Sequence, residues 1–88
     1  MKLVLIEWLD AHAGRGWQTT ENIEAAAAPL VCRSVGWLLK DTKECKLIVP
    51  HLGGEENAKY FMLGCGDLTI PTCAIVKMTV LRENRKTQ

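Results

Sequence analysis

The amino-acid sequence predicts an all-β domain: a small closed barrel of about five strands, with one short helix in the connection between the first two. Three observations carry that expectation. Residues 74–80 alternate, with Ala74, Val76, Met78 and Val80 set against Lys77 and Thr79, which is the period of a half-buried strand. Ser34-Val35-Gly36-Trp37-Leu38-Leu39-Lys40-Asp41 runs as a strand into a turn, and residues 68–78 read as a strand, a Pro71-marked turn and a closing strand. A single alanine run, at 25–28, has helical composition.

The elements follow in order. Residues 2–9 are a nearly continuous apolar run that ends at Asp10, as expected of a strand covered on both faces. Gly14 and Gly16 mark a loop with Trp17 behind them. Thr20 is the expected N-cap of a helix over 21–28, with Glu21 and Glu24 near the positive end of its dipole and Pro29 stopping it. Two turns of helix are not stable alone, so packing must hold it, and Ile23 is the expected contact. Residues 30–40 form the longest strand, with Val31, Val35, Trp37 and Leu39 on one face and a bulge or bend at Gly36.

Asp41-Thr42-Lys43 turns the chain, and residues 44–49 return as a hairpin partner that Pro50 ends. Residues 51–59 read as a polar loop around Gly53-Gly54-Glu55-Glu56-Asn57, the most mobile interior segment. Residues 60–63 are another strand, and Gly64-Cys65-Gly66-Asp67 interrupts pairing before residues 68–70. The domain spans residues 1–82, and 83–88 form a polar tail.

Composition bounds the function. At 88 residues and 48% hydrophobic content the chain is one folded domain, burying about 60–65% of its unfolded surface and gaining stability from a partner. Eleven basic against ten acidic residues give +1, so no global field draws it to nucleic acid or to an anionic membrane. Met1-Lys2, Leu3 to Ile6 and Ala11-His12-Ala13 imitate a signal peptide. Glu7 breaks the apolar run where a signal core needs about 7–15 residues, so the segment reads as a strand. No stretch approaches the roughly 20 apolar residues of a membrane span. Cys32, Cys45, Cys65 and Cys73 lack close paired spacing; two disulfides are the alternative, and free cytosolic thiols the preferred reading. No Cys-x-x-Cys or His-x₃₋₅-His pair suggests zinc, and no cofactor is expected.

Trp8-Leu9-Asp10-Ala11, Gly16-Trp17, Ser34-Val35-Gly36 and Ile70-Pro71-Thr72-Cys73-Ala74-Ile75 together resemble a group of small proteins of tailed bacteriophages. That group is similar to SH3-like barrels, and in particular to Sm-like proteins, which assemble into rings and commonly bind RNA. The resemblance implies a phage-encoded SH3-like barrel in the host cytoplasm, with the hairpin at Asp41 and the segment from Ile70 standing where Sm-like proteins carry their two motifs. Sm-like RNA sites use an Asp-x-φ-x-Asn turn and an Arg-Gly or Lys-His turn. Here these read Asp41-Thr42-Lys43-Glu44-Cys45 and Ile70-Pro71-Thr72-Cys73, without the RNA-contacting side chains. The long connection between the first two strands departs from Sm-like proteins and resembles the first loop of SH3 domains.

Two constellations could carry chemistry. Asp10 and His12, two residues apart, would share a side of a continued strand, where a carboxylate can orient an imidazole base or help ligate a metal, with His51 as a potential third member. The plainer reading is a capped turn with an exposed histidine. Trp8, Trp17 and Trp37 can line a groove for a base or a peptide, although three tryptophans in a domain this small more often form its core and rim. Gly14-Arg15-Gly16 and Gly64-Cys65-Gly66 are too short for phosphate loops. The candidate partner surface is therefore Trp8, Asp10, His12, Trp17, Trp37, Asp41 and Thr72. The sequence favours a non-catalytic interaction module that self-associates through its edge strands, as a ring where the rotation closes. An RNA-binding ring is the alternative, and a metal or hydrolytic site near Asp10 and His12 a remote third.

Overall fold

The computed structural model describes residues 1–55 and 63–84. Among the described residues the chain order is β1 Leu3–Asp10, α1 Thr20–Ala25, β2 Leu30–Asp41, β3 Cys45–Val49, β4 His51–Gly53, β5 Leu63–Cys65, β6 Leu68–Pro71, a 3₁₀ turn Thr72–Ala74 and β7 Ile75–Leu81. The protein is mostly β, with one short α-helix in the connection where it is expected. Five strands form an antiparallel sheet in the order β6-β3-β2-β1-β7, and β4 pairs with β5 separately. The sheet is open. Its edges β6 and β7 make no pairing with each other, yet they are consecutive in the chain and joined across only the 3₁₀ turn.

β1 organises the sheet. It pairs with β2 from Leu3↔Trp37 to Asp10↔Leu30 and with β7 from Leu3↔Leu81 to Trp8↔Ile75. Alternation sends Val4 and Ile6 to a fully buried face and Leu3, Leu5 and Glu7 to a half-buried one. The expected covering of both faces is only partial among the described residues: on the second face Val49, the partner of Trp37, is buried with Gly64 of β5 against it, whereas Leu3 and Leu5 are half-buried and Val35 is exposed.

Val4 and Ile6 of β1 share one core with Ile48 of β3 and Ile70 of β6, flanked by Trp8, Leu38, Leu68, Ala74, Ile75 and Met78. In a flat sheet β1 and β6 would lie about 14 Å apart. Sharing a core therefore requires the sheet to curl. Two bulges help: Leu39 is the extra residue opposite β3 and Val76 the extra residue opposite β1. Gly36, the expected bulge, instead pairs regularly with Val4. A Cβ there would lie 3.1 Å from the N, C and O of Val49, so glycine is required for backbone approach rather than for an irregular register.

Several elements differ from the sequence expectation. The helix ends at Ala25, short of Pro29, and its N-cap is Thr19 rather than Thr20: the Thr19 hydroxyl accepts from the Asn22 N–H at 3.2 Å. Ile23 does not anchor the helix, which buries no residue. The apolar face of β2 points away from the core, with Val31, Val35 and Leu39 exposed. Its inward positions are the smaller Cys32, Ser34 and Gly36, each paired across from a core-facing residue of β1, which suits a tightly curled strand. Residues 51–53 are a strand rather than a loop, paired with β5 through His51↔Cys65. Gly66, at φ 77°, turns β5 into β6. On β7 the bulge takes Val76 out of the predicted alternation and leaves it exposed, whereas Met78 and Val80 keep it by pairing with the core-facing Ile6 and Val4, Val80 itself remaining exposed. The predicted strand at 60–63 lies outside the described residues except for Leu63, as does most of the tail at 83–88.

Gly36→Ala is expected to lower unfolding stability by about 1–3 kcal/mol, because the new methyl meets backbone that cannot move aside. Gly53→Ala, where a Cβ finds its nearest neighbour at 4.0 Å, serves as control and should stay within about 0.5 kcal/mol of the parent. Urea unfolding followed by tryptophan fluorescence measures both; equal midpoints would contradict the close approach.

Candidate functional site

Of the candidate residues, Asp41 and Thr72 are brought to one corner. The β2–β3 turn is built by Thr42, whose N–H donates to the Cys45 carbonyl at 2.9 Å and whose hydroxyl oxygen accepts from the N–H groups of Cys45 at 3.1 Å and Glu44 at 3.3 Å. The 3₁₀ turn docks on it. Thr72 donates its N–H to the Glu44 carbonyl at 2.9 Å and its hydroxyl to the Thr42 carbonyl at 3.2 Å. Asp41 is ion-paired with Lys46 on the adjacent strand. The Thr72 bonds make this corner a structural clamp between two turns thirty residues apart.

The tryptophans do not form one groove. Trp8 pairs with Cys32 and lies on the core side, where its indole N–H donates to the Ser34 hydroxyl at 3.1 Å. Trp37 pairs with Leu3, whose alternation places it on the opposite face. Trp17 is fully exposed in the β1–β2 connection.

Asp10 and His12 do not combine either. The strand ends at Asp10, whose carboxylate accepts from the Ala11 N–H at 2.8 Å. His12 Nε2 faces the Ala28 carbonyl; a carbonyl only accepts, so this nitrogen carries the proton. His51 follows Val49, the partner of Trp37, whereas Asp10 partners Leu30. Those positions on β2 are about 23 Å apart along the strand. Among the described residues no group of three His, Cys, Asp or Glu side chains could hold a metal ion, and no helix is long and apolar enough to cross a membrane. The four cysteines are free thiols: Cys32 and Cys45 are half-buried, Cys65 and Cys73 exposed.

Two larger features were not singled out from the sequence. The β1–β2 ribbon continues past the core as an arm, and every residue from Leu9 to Val31 is exposed. Local bonds alone shape it: the Asp10 and Thr19 caps, His12 to Ala28, and Gln18 Nε2 donating to the Arg15 carbonyl at 3.4 Å. A groove of about 360 Å³ between His12, Gly14, Gln18, Ile23, Ala26 and Ala27 opens on it. The second feature is the outward face of β7-β1-β2, where Leu5 and Val35 pair side by side with Leu3 and Trp37 in the next row. The apolar run of β1 and the one-sided apolar set of β2 were legible; which side faces outward was not, because a nearly continuous apolar run has no polar side to orient it.

No protein-family model, curated protein or solved structure matches the chain.

Thr42→Val, which keeps the shape and removes the hydroxyl, should cost about 1–3 kcal/mol by leaving turn donors unpaired. Thr72→Val removes one partly exposed bond and should cost less. Denaturant unfolding of the two variants gives the comparison, and a neutral Thr42→Val would show that the turn is held otherwise.

Proposed function

We propose that the chain is a phage-encoded, non-catalytic SH3-like (Sm-like) small barrel that self-associates and serves as an interaction or adaptor module in the cytoplasm of the infected host. The observation that carries this reading is the amount of surface left open. The chain exposes 7664 Å², whereas a compact monomer of 9.8 kDa exposes about 5,200 Å². Its radius of gyration is 17.7 Å, against about 12 Å for a compact domain of this length. The excess of about 2,500 Å² exceeds the roughly 1,200–2,000 Å² of a standard protein interface.

The topology agrees with the barrel. A five-stranded meander whose first strand pairs with its last, whose edges meet at a 3₁₀ corner and whose core draws on β1, β3 and β6 is a sheet curled toward closure. The edges themselves favour association. β6 and β7 present unpaired backbone groups, and Lys77 is the only charge on β7 to blunt its edge.

A ring that binds RNA is the second reading. The juxtaposition of the Asp41 turn with Thr72 favours it, since these stand where the resemblance puts the two Sm-like motifs. The Asp41–Lys46 pair and the near-neutral charge weigh against it, because counterion release supplies most non-specific affinity.

Light scattering coupled to size exclusion at micromolar concentration should give a mass of at least twice 9.8 kDa; a monomer would remove the self-association reading. Filter binding to U-rich and A-rich single-stranded RNA at two salt concentrations should show weak retention that falls with salt. Tight, sequence-selective retention at physiological salt would make the RNA reading the better one.

A further inference from the structure

We infer that the β1–β2 arm of one copy docks on the outward β7-β1-β2 face of a second copy, head to tail. The inference rests on the self-association reading and names its interface.

The arm has no packing of its own. Its six-residue helix buries nothing and is far below the roughly 12–15 residues at which an isolated helix becomes even marginal in water. Nevertheless it presents Trp17 and Ile23 to solvent, and large apolar side chains at the tip of a projecting ribbon gain from an apolar seat. Its own sheet is not that seat, because every residue from Leu9 to Val31 is exposed.

The face provides one. Pairing sets its residues in rows across three strands: Leu3 beside Trp37, Leu5 beside Val35, then Glu7 between Arg33 and Lys77. Glu7 is bonded to Arg33 at 3.3 Å, and Lys77 has no ion pair among the described residues. The apolar rows thus adjoin an unanswered cation.

Charge selects a second copy as the occupant. Residues 10–29 hold Asp10, Glu21 and Glu24 against Arg15 alone, a formal charge of −2, whereas the face holds Arg33 and Lys77 against Glu7 alone, a formal charge of +1. The helix adds no basic residue in its last turn. Arm and face are therefore of opposite sign within one molecule, an arrangement that favours head-to-tail contact and opposes arm-to-arm contact. Because arm and face are different patches, the contact is heterologous and builds a ring where the rotation closes and a filament where it does not.

Charge reversal tests this on the full chain. Glu21→Lys with Glu24→Lys makes an arm-reversed variant, and Lys77→Glu a face-reversed one. Each alone should run at the monomer mass in light scattering, with the strand signal in circular dichroism unchanged. Mixed in equal amounts they should regain the wild-type mass, since each reversed patch then meets an opposite one. Lys77→Ala, a milder change on the same strand, should weaken association partway and stands in should Lys77→Glu fail to fold. Wild-type mass in both single variants, or a mixture that stays monomeric, overturns the arm-to-face contact while leaving association through the edge strands intact. A monomeric wild type overturns the self-association reading itself.

Discussion

The packing of Val4 and Ile6 against Ile48 and Ile70 is the interaction on which the rest of the structure depends. These four side chains come from strands that are not neighbours, and only a curled sheet brings them together. From that requirement follow Gly36 against the backbone of Val49, the extra residues Leu39 and Val76, and the 3₁₀ corner that sets β7 beside β1. The core is thin. So few fully buried side chains contribute little hydrophobic free energy at about 25 cal/mol per Å², and the fold leans on its strand ladders and on the Thr42–Thr72 clamp.

The same curl decides what is left outside. A strand bent tightly around a small core accommodates small residues within, and β2 supplies Cys32, Ser34 and Gly36 there, turning its larger Val31 and Val35 outward. An apolar exterior is thus the geometric counterpart of a small interior. A monomer keeps such an exterior only at some risk of aggregation, which a defined partner surface relieves.

The strands at 2–9, 30–40, 44–49 and 74–80 were legible in the sequence because apolar runs bounded by Asp10, Asp41-Thr42, Pro50 and Pro71 leave few alternatives, whereas β4 and its pairing with β5 were not, since Gly53-Gly54-Glu55-Glu56-Asn57 reads as a loop. The ends of the helix were not, since Thr19 and Thr20 are chemically equivalent caps and only the backbone chooses between them. Orientation was harder still. Val31, Val35, Trp37 and Leu39 announce an apolar face, but whether it lies inside depends on Gly36 and Val49, two residues far apart in sequence. For the candidate site, Asp41 and Thr72 could be placed at turns, while the docking of one turn on the other came only from the structure. The plainer readings hold for Asp10 and His12, a capped turn with an exposed histidine, and the less favoured alternatives, their union with His51 and a tryptophan groove, are not formed; proximity in sequence, or kinship in chemistry, does not fix which face or which end of a strand a side chain occupies.

The pairing of β1 with β7 also has a consequence for synthesis. Leu3 leaves the ribosome well before its partner Leu81, so β1 must wait with one edge bare while the intervening strands are made. Contacts of such sequence separation slow folding, and an apolar strand with a waiting edge can capture the wrong neighbour. On a crowded polysome, where many copies emerge together, that neighbour is another nascent chain. The early pairing of β1 with β2, complete once Trp37 has emerged, is the step that limits the time for such encounters.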